Sequence, residues 1–393
     1  MTRTWKWITG ILAVLSALVG AGGTALADGP ADQWIEQQTE QLPTEEIEQY
    51  WEQLLDQYGG FFPEGDPPSL MEMIVPGGEG MGFREVAAGL IRYFFHEIAY
   101  NGKLLVTIVI ITVFSIVLET VQSAFQHTSV SKVAFAVTFV VLMVIAVNSF
   151  SVSIGYARSA IESMIHFMVA MVPLLLTLLA SMGNVATVSV MHPLIIFMIH
   201  TVGTLIYTLV FPLLFFSAVL SIVSSLTDKY KVTQLAVLLR NLAIGALGVC
   251  LTVFLGVISV QTATAAATDG IAIRTAKYVT GNFIPIVGRM LSDATDTIMS
   301  ASLLVKNTVG LAGVVILILL CAFPALKILA LALLYSLTAA VIQPLGDNPI
   351  VSCLQTVGKC MMYVFAALAS VSLMFFLAIT IVITAGNLSL MMR

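Results

Sequence analysis

An all-α, polytopic membrane protein with a small helical N-terminal part outside the membrane is the fold this sequence predicts, and three observations predict it. Of 393 residues, 59% are hydrophobic and only 10% are charged, with a mean hydropathy of +0.99. Soluble domains carry about 25% charged residues, so a soluble core of this length would lack the polar surface to cover itself. Long apolar runs recur from residue 104 onward. The first 27 residues have the three-part design of a secretory signal.

That signal begins with Arg3 and Lys6, continues through an apolar stretch at residues 8–19, and ends in Ala25-Leu26-Ala27. Ala25 and Ala27 fit the small-residue cleavage pattern. The apolar stretch is short for a full span, which favours cleavage after Ala27 over an uncleaved first helix.

Residues 28–102 then form an acidic, extracytoplasmic segment. Residues 28–100 hold 15 of the 22 acidic residues and two basic ones, Arg84 and Arg92, a balance that opposes docking on anionic lipid. Ile47, Tyr50, Trp51, Leu54, Leu55 and Tyr58 recur at helical spacing. Thr44 is a candidate cap, and Glu45 and Glu46 suit the positive end of the helix dipole. Gly59-Gly60 should end this helix, and the Pro- and Gly-rich stretch 63–82 reads as a linker. A second amphipathic run, with Phe83, Val86, Leu90, Ile91, Phe94 and Ile98 on one face, leads into the first span. So small a segment has little core of its own and is expected to pack on the membrane domain or on a partner.

The membrane domain occupies residues 103–393. Its apolar runs are 104–121, 133–154, 165–182, 193–226, 235–261, 308–341 and 361–385. About 20 residues suffice for one span. The two longest runs hold central prolines, Pro212 and Pro324, so each is either one kinked helix or a tight hairpin. The span count is therefore about seven to nine. The positive-inside rule places Lys132 in the cytoplasm, along with Asp228, Lys229 and Lys231. With Arg240 these form a candidate contact for a cytoplasmic partner. That placement favours a hairpin at 193–226 and a cytoplasmic C-terminus at Arg393.

Pro173 and Pro212 are 39 residues apart, as are Pro285 and Pro324, and the pairs are offset by 112. Phe211-Pro212 then falls on Phe323-Pro324, which suggests an internal repeat of about 161–262 and 273–387, an architecture common in transporters. Coincidence between proline-kinked helices is the alternative. These four prolines are the candidate kinks. The second half is the more polar: residues 274–307 carry Arg274, Lys277, Arg289, Asp293, Asp296 and Lys306. Such a segment is either interfacial or the lining of an aqueous cavity. Lys327, just past Pro324, is deep if its run is one helix and near water if it is a hairpin. These seven charged residues are the candidate pore or cavity lining. The small-residue run 261–268 either permits close helix packing or serves as a connector.

No enzyme motif is present, and no catalytic residue, cofactor or metal site is expected. His192 and His200 could share a helix face but lack further ligands. Cys250, Cys321, Cys353 and Cys360 all lie in apolar sequence, as buried small side chains would.

Several stretches carry a resemblance that includes polar and turn positions as well as apolar ones. They are residues 46–63 (EIEQYWEQLLDQYGGFFP), 230–289 from YKVTQLAVLLRN to FIPIVGR, FPALKILALAL from Phe323, and SLMFFLAITIVITAGN ending at Asn387. On these the chain resembles the stage III sporulation AE family of endospore-forming bacteria over essentially its whole length. The resemblance implies a product of an eight-gene sporulation operon, located in the mother-cell membrane that surrounds the forespore. It implies partnership with a cytoplasmic ATPase, ring-forming and membrane subunits, and a forespore membrane protein. Together these form a transenvelope channel that supports late forespore gene expression. The chain would be its permease- or channel-like subunit, or a non-conducting platform that anchors the ATPase and rings. The lipid bilayer is an expected partner and nucleic acid is not. The family supplies no catalytic residues to transfer.

Overall fold

A computed structural model describes residues 44–62, 68–74, 82–124, 128–225, 232–283, 287–345 and 349–391. The described residues are helical throughout their regular elements. Helix α1 is Glu45–Tyr58, α2 is Leu70–Ile74, α3 is Phe83–Ala124, α4 is Thr128–Ser181 and α5 is Val185–Leu205. Then come α6 at Phe211–Ser224, α7 at Thr233–Phe283, α8 at Val287–Ile342 and α9 at Pro349–Met391. A π-helical turn, Ile206–Val210, joins α5 to α6 without a break.

Among the described residues, six helical stretches are long and apolar enough to cross a membrane, so the protein is a multi-pass membrane protein. The described residues thus hold six such helices where seven to nine spans were expected, for two reasons. Runs 133–154 and 165–182 are one helix, α4, because the residues between them (Gly155 to Met164) include Ala, Arg and Glu, which continue a helix well. Neither proline-bearing run is a hairpin. Pro212 removes the N–H that would reach residue 208, and the wide turn at Ile206–Val210 absorbs the mismatch, with the Phe211 N–H reaching back to the Ile206 carbonyl. Pro324 sits inside α8 in uninterrupted helix, as Pro173 does in α4. Pro285 lies outside the described residues.

Several of these helices are far longer than a bilayer requires. The 54 residues of α4 and the 56 of α8 correspond to about 80 Å each at 1.5 Å per residue, against a hydrocarbon core of about 30 Å. The core lies where α8 packs on α9, α4 and α3. Phe323, Tyr335, Phe167 and Phe375 are among its largest fully buried side chains. The run 261–268 is part of α7, with Thr262, Ala265 and Ala266 buried, so it packs rather than connects. All four cysteines are free thiols; Cys321, Cys353 and Cys360 are buried and Cys250 is partly buried.

Helix α1 lies on α4 and α8, burying Ile47, Trp51 and Leu54. Glu45, Glu46 and Glu48 fill its first turn, but Thr44 makes no side-chain cap. A 3-10 turn, Gly59–Phe61, follows α1 and packs on α3 at Gly89, where a larger residue would meet the Phe61 carbonyl and the Phe62 ring. The stretch read as linker contains α2. Ser69 and Glu72 cap it reciprocally, the Ser69 N–H donating to Glu72 Oε2 at 2.8 Å and the Glu72 N–H to Ser69 Oγ at 3.3 Å. Over the amphipathic run 83–98 of α3 the buried positions are Gly89, Tyr93 and Glu97, while Ile91 is 57% exposed, so the packed face is rotated from the one periodicity suggested.

Candidate functional site

A carboxylate in an otherwise apolar bundle is held only where something answers its charge. Glu97, on α3, is 5% exposed. Lys327 of α8 approaches it with Nζ 3.5 Å from Oε1. Asn101, one turn along α3, donates from Nδ2 to Glu97 Oε2 at 2.9 Å, and Tyr93 also hydrogen-bonds to the carboxylate. Lys327 is held from the other side by Tyr156 of α4, whose ring centroid is 4.4 Å from Nζ. Because the Pro324 run is a single helix, Lys327 lies within the helix and not at a turn.

Aromatic side chains roof the pair. Tyr58 of α1 stacks on Phe323 with centroids 4.0 Å apart, and Tyr93 meets both edge-on. Burial, helped by the negative charge of Glu97 and by Tyr156, pushes the Tyr58 phenol up to about 12. Between α1 and the α4–α8 surface is a cavity of ≈ 180 Å3. Gln53, Gln57 and Tyr58 line it from the α1 side, and Tyr156, Ser159 and Lys327 from the bundle. Hydroxyls, carboxamides and one ammonium suit a hydrated polar ligand. The described residues contain no cluster of metal-binding side chains.

The structure distributes the seven sequence-predicted lining residues rather than gathering them. Lys306 and Lys327 are 21 residues apart on α8, about 32 Å along the axis. Lys306 is fully buried, and its Nζ donates to the Ile383 carbonyl at 2.7 Å and to Asn387 Oδ1 at 3.4 Å, tying α8 to α9. Arg274 is exposed near the end of α7. Lys277, Arg289, Asp293 and Asp296 fall on the α7 and α8 backbones with side chains outside the described set. The segment 274–307 is thus the end of one helix and the start of the next. Asp228, Lys229 and Lys231 lie outside the described residues, as do Ala25 and Ala27. Arg240 is described: its guanidinium lies 4.9 Å from the Tyr363 ring centroid.

Sequence reasoning missed two acids. Glu97 was not singled out, although it sits just before the apolar stretch 104–118 of its helix. Asp269 is 3% exposed and caps α5 from α7, its two oxygens accepting the Ala186 and Thr187 N–H groups at 2.8 Å each. Gly183, at φ +82°, makes the tight turn that aims this helix start at Asp269.

The family model described as stage III sporulation protein AE matches residues 66–386. A Bacillus subtilis (strain 168) protein named stage III sporulation protein AE is 52% identical over 400 residues, covering 100% of both chains. No solved structure matches the chain. Both matches are named for sporulation and not for a reaction.

Proposed function

Because the chain belongs to the stage III sporulation protein AE family, we infer that it is the permease- or channel-like membrane subunit of a complex joining mother cell and forespore. In this reading the complex spans the space between the two membranes, and the chain sits in the mother-cell membrane with α1 and α2 facing that space. Its partners are a cytoplasmic ATPase, ring-forming and membrane subunits, and a forespore membrane protein. Late forespore gene expression depends on the assembly.

The observation that carries the reading is the end-to-end likeness to a named sporulation protein. The geometry supports a conducting role over a purely anchoring one. A platform needs surfaces, whereas this bundle keeps a Glu97–Lys327 ion pair, its carboxylate buried and its ammonium partly exposed, beside a cavity lined partly by polar groups. Ionised groups within the apolar helices of membrane proteins are expensive, and they commonly mark pathways for ions or polar solutes.

Deleting the gene tests the reading. Early forespore reporters should fire normally and late ones should fail. Normal late expression in the deletion strain would overturn it.

A further inference from the structure

A proline inside a helix frees an acceptor. Pro324 has no N–H to give the Leu320 carbonyl, which is left without its helical donor. Leu320 and Pro324 both line the cavity beneath α1, so the freed acceptor lies at its wall. Lys327, about one turn further along α8, lines it too and is the one charged residue among the described residues that does. Glu97 is not part of that wall. It holds the ammonium from behind, its side chain 7% exposed against 26% for Lys327. Among the described residues Lys327 donates no hydrogen bond; its contacts are the Glu97 charge and the Tyr156 ring.

The polar side chains around it are equally unengaged. Ser153 and Ser189 turn back on their own helices, donating to the Ser149 and Val185 carbonyls. Ser159 and Ser163 of α4 do not. With Tyr50, Gln53, Gln57 and Tyr156 they make no hydrogen bond to the described residues. Gln53, Gln57 and Ser159 are exposed, so the cavity is reached from solvent while α1 stays docked. Its ≈ 180 Å3 matches the share of about six waters, which sets the size of a solute that could replace them.

We propose that this cavity binds a small zwitterionic amino acid, its carboxylate on the Lys327 ammonium and its ammonium on the Leu320 carbonyl. The proposal rests on the conducting reading above and deepens it by naming the class of solute. Charge balance selects the zwitterion. Glu97 offsets Lys327, so the site has no net charge to spend on an ion of one sign. A lone anion meets the Glu97 carboxylate behind the lysine, and a lone cation meets the lysine itself. A zwitterion answers both the free donor and the free acceptor. Leu320 and Lys327 are seven residues apart on α8, about 10 Å along the axis. The lysine side chain leans toward the helix N-terminus, which shortens that gap to the reach of one small molecule. The Tyr50 ring, with Glu46 in electrostatic reach, adds a second negative surface for the ligand ammonium. The volume admits alanine or serine and excludes an aromatic side chain.

Equilibrium dialysis of the full-length chain in lipid nanodiscs tests it. Radiolabelled L-alanine and L-serine should bind saturably, and unlabelled L-tryptophan should not displace them. Propionate and ethylamine each carry half of the zwitterion. Each should compete about tenfold or more weakly than L-alanine, since each forgoes one charge-assisted hydrogen bond. Lys327→Met should weaken binding about tenfold or more as well. Because that variant also strands Glu97, Ser159→Trp is measured beside it. It fills the cavity from the exposed side of α4 and should abolish binding with the unfolding temperature unchanged. Absence of saturable binding by both amino acids overturns the proposal. So does binding that survives Ser159→Trp, or competition by propionate or ethylamine as strong as that by L-alanine. None of these results touches the conducting reading, which is judged separately by late forespore gene expression in the deletion strain.

Discussion

Glu97 and Lys327 depend on each other. Glu97→Gln leaves the ammonium beside Tyr156 without its counter-charge. The Lys327 side chain is 26% exposed, so water recovers part of the loss, and we expect about 1–3 kcal/mol of destabilisation rather than the larger cost of a fully buried pair. Thermal unfolding in detergent measures it, and adding Lys327→Met should restore part of the stability. Asp269→Asn should cost a similar 1–3 kcal/mol, roughly, since one charged group satisfies two N–H donors of α5; proteolysis near the Gly183 turn would report the loosened helix start. How far these residues were legible differs. Lys327 was visible as a lone charge in an apolar run, with its meaning hanging on hairpin or helix. Asp269 was invisible in function, because its partners lie 83 and 82 residues away in sequence. The Ser69-x-x-Glu72 box was readable and was hidden only by the Pro- and Gly-rich stretch around it.

At the scale of elements, apolar runs located the helices but not their ends. A run stops where polar residues begin, whereas a helix stops where its backbone loses partners. Hence α4 continues through Arg158 and Glu162, and the i, i+4, i+8 spacing of Arg158, Glu162 and His166 was the signal that this stretch was helix and not loop. The packing of α1 is the element most open to a solution test. The folded Tyr58 phenol ionises near 12 instead of 10 because of burial first and the Glu97 charge second. Between those values the docked state holds a proton that the undocked state has released. Docking is therefore fully supported below pH 10 and weakens as pH rises towards 12. Trp51 reports it, being buried with its indole N–H donating to the Pro68 carbonyl at 3.0 Å. Its emission should shift to the red over that pH window, and Tyr58→Phe should reduce the shift. An emission maximum that stays constant to pH 12 would show that Tyr58 does not couple to docking.

For the whole molecule, the fold class was legible from composition, and the number of long helices among the described residues was not. Nothing in the local sequence at Pro212 or Pro324 separates a kink from a turn; the packing of α8 against α9 and α4 does so. The even count has a consequence. Reporters placed at Glu45 and at Leu390 should lie on the same side of the membrane, and impermeant labelling of one without the other would contradict six single crossings. Function at this scale is tested most directly by following a small fluorescent polar solute from mother cell to engulfed forespore. The account predicts that passage is lost when the chain is absent and returns when the chain is made in the mother cell alone. Undiminished passage without the chain, or rescue only by expression in the forespore, would contradict it.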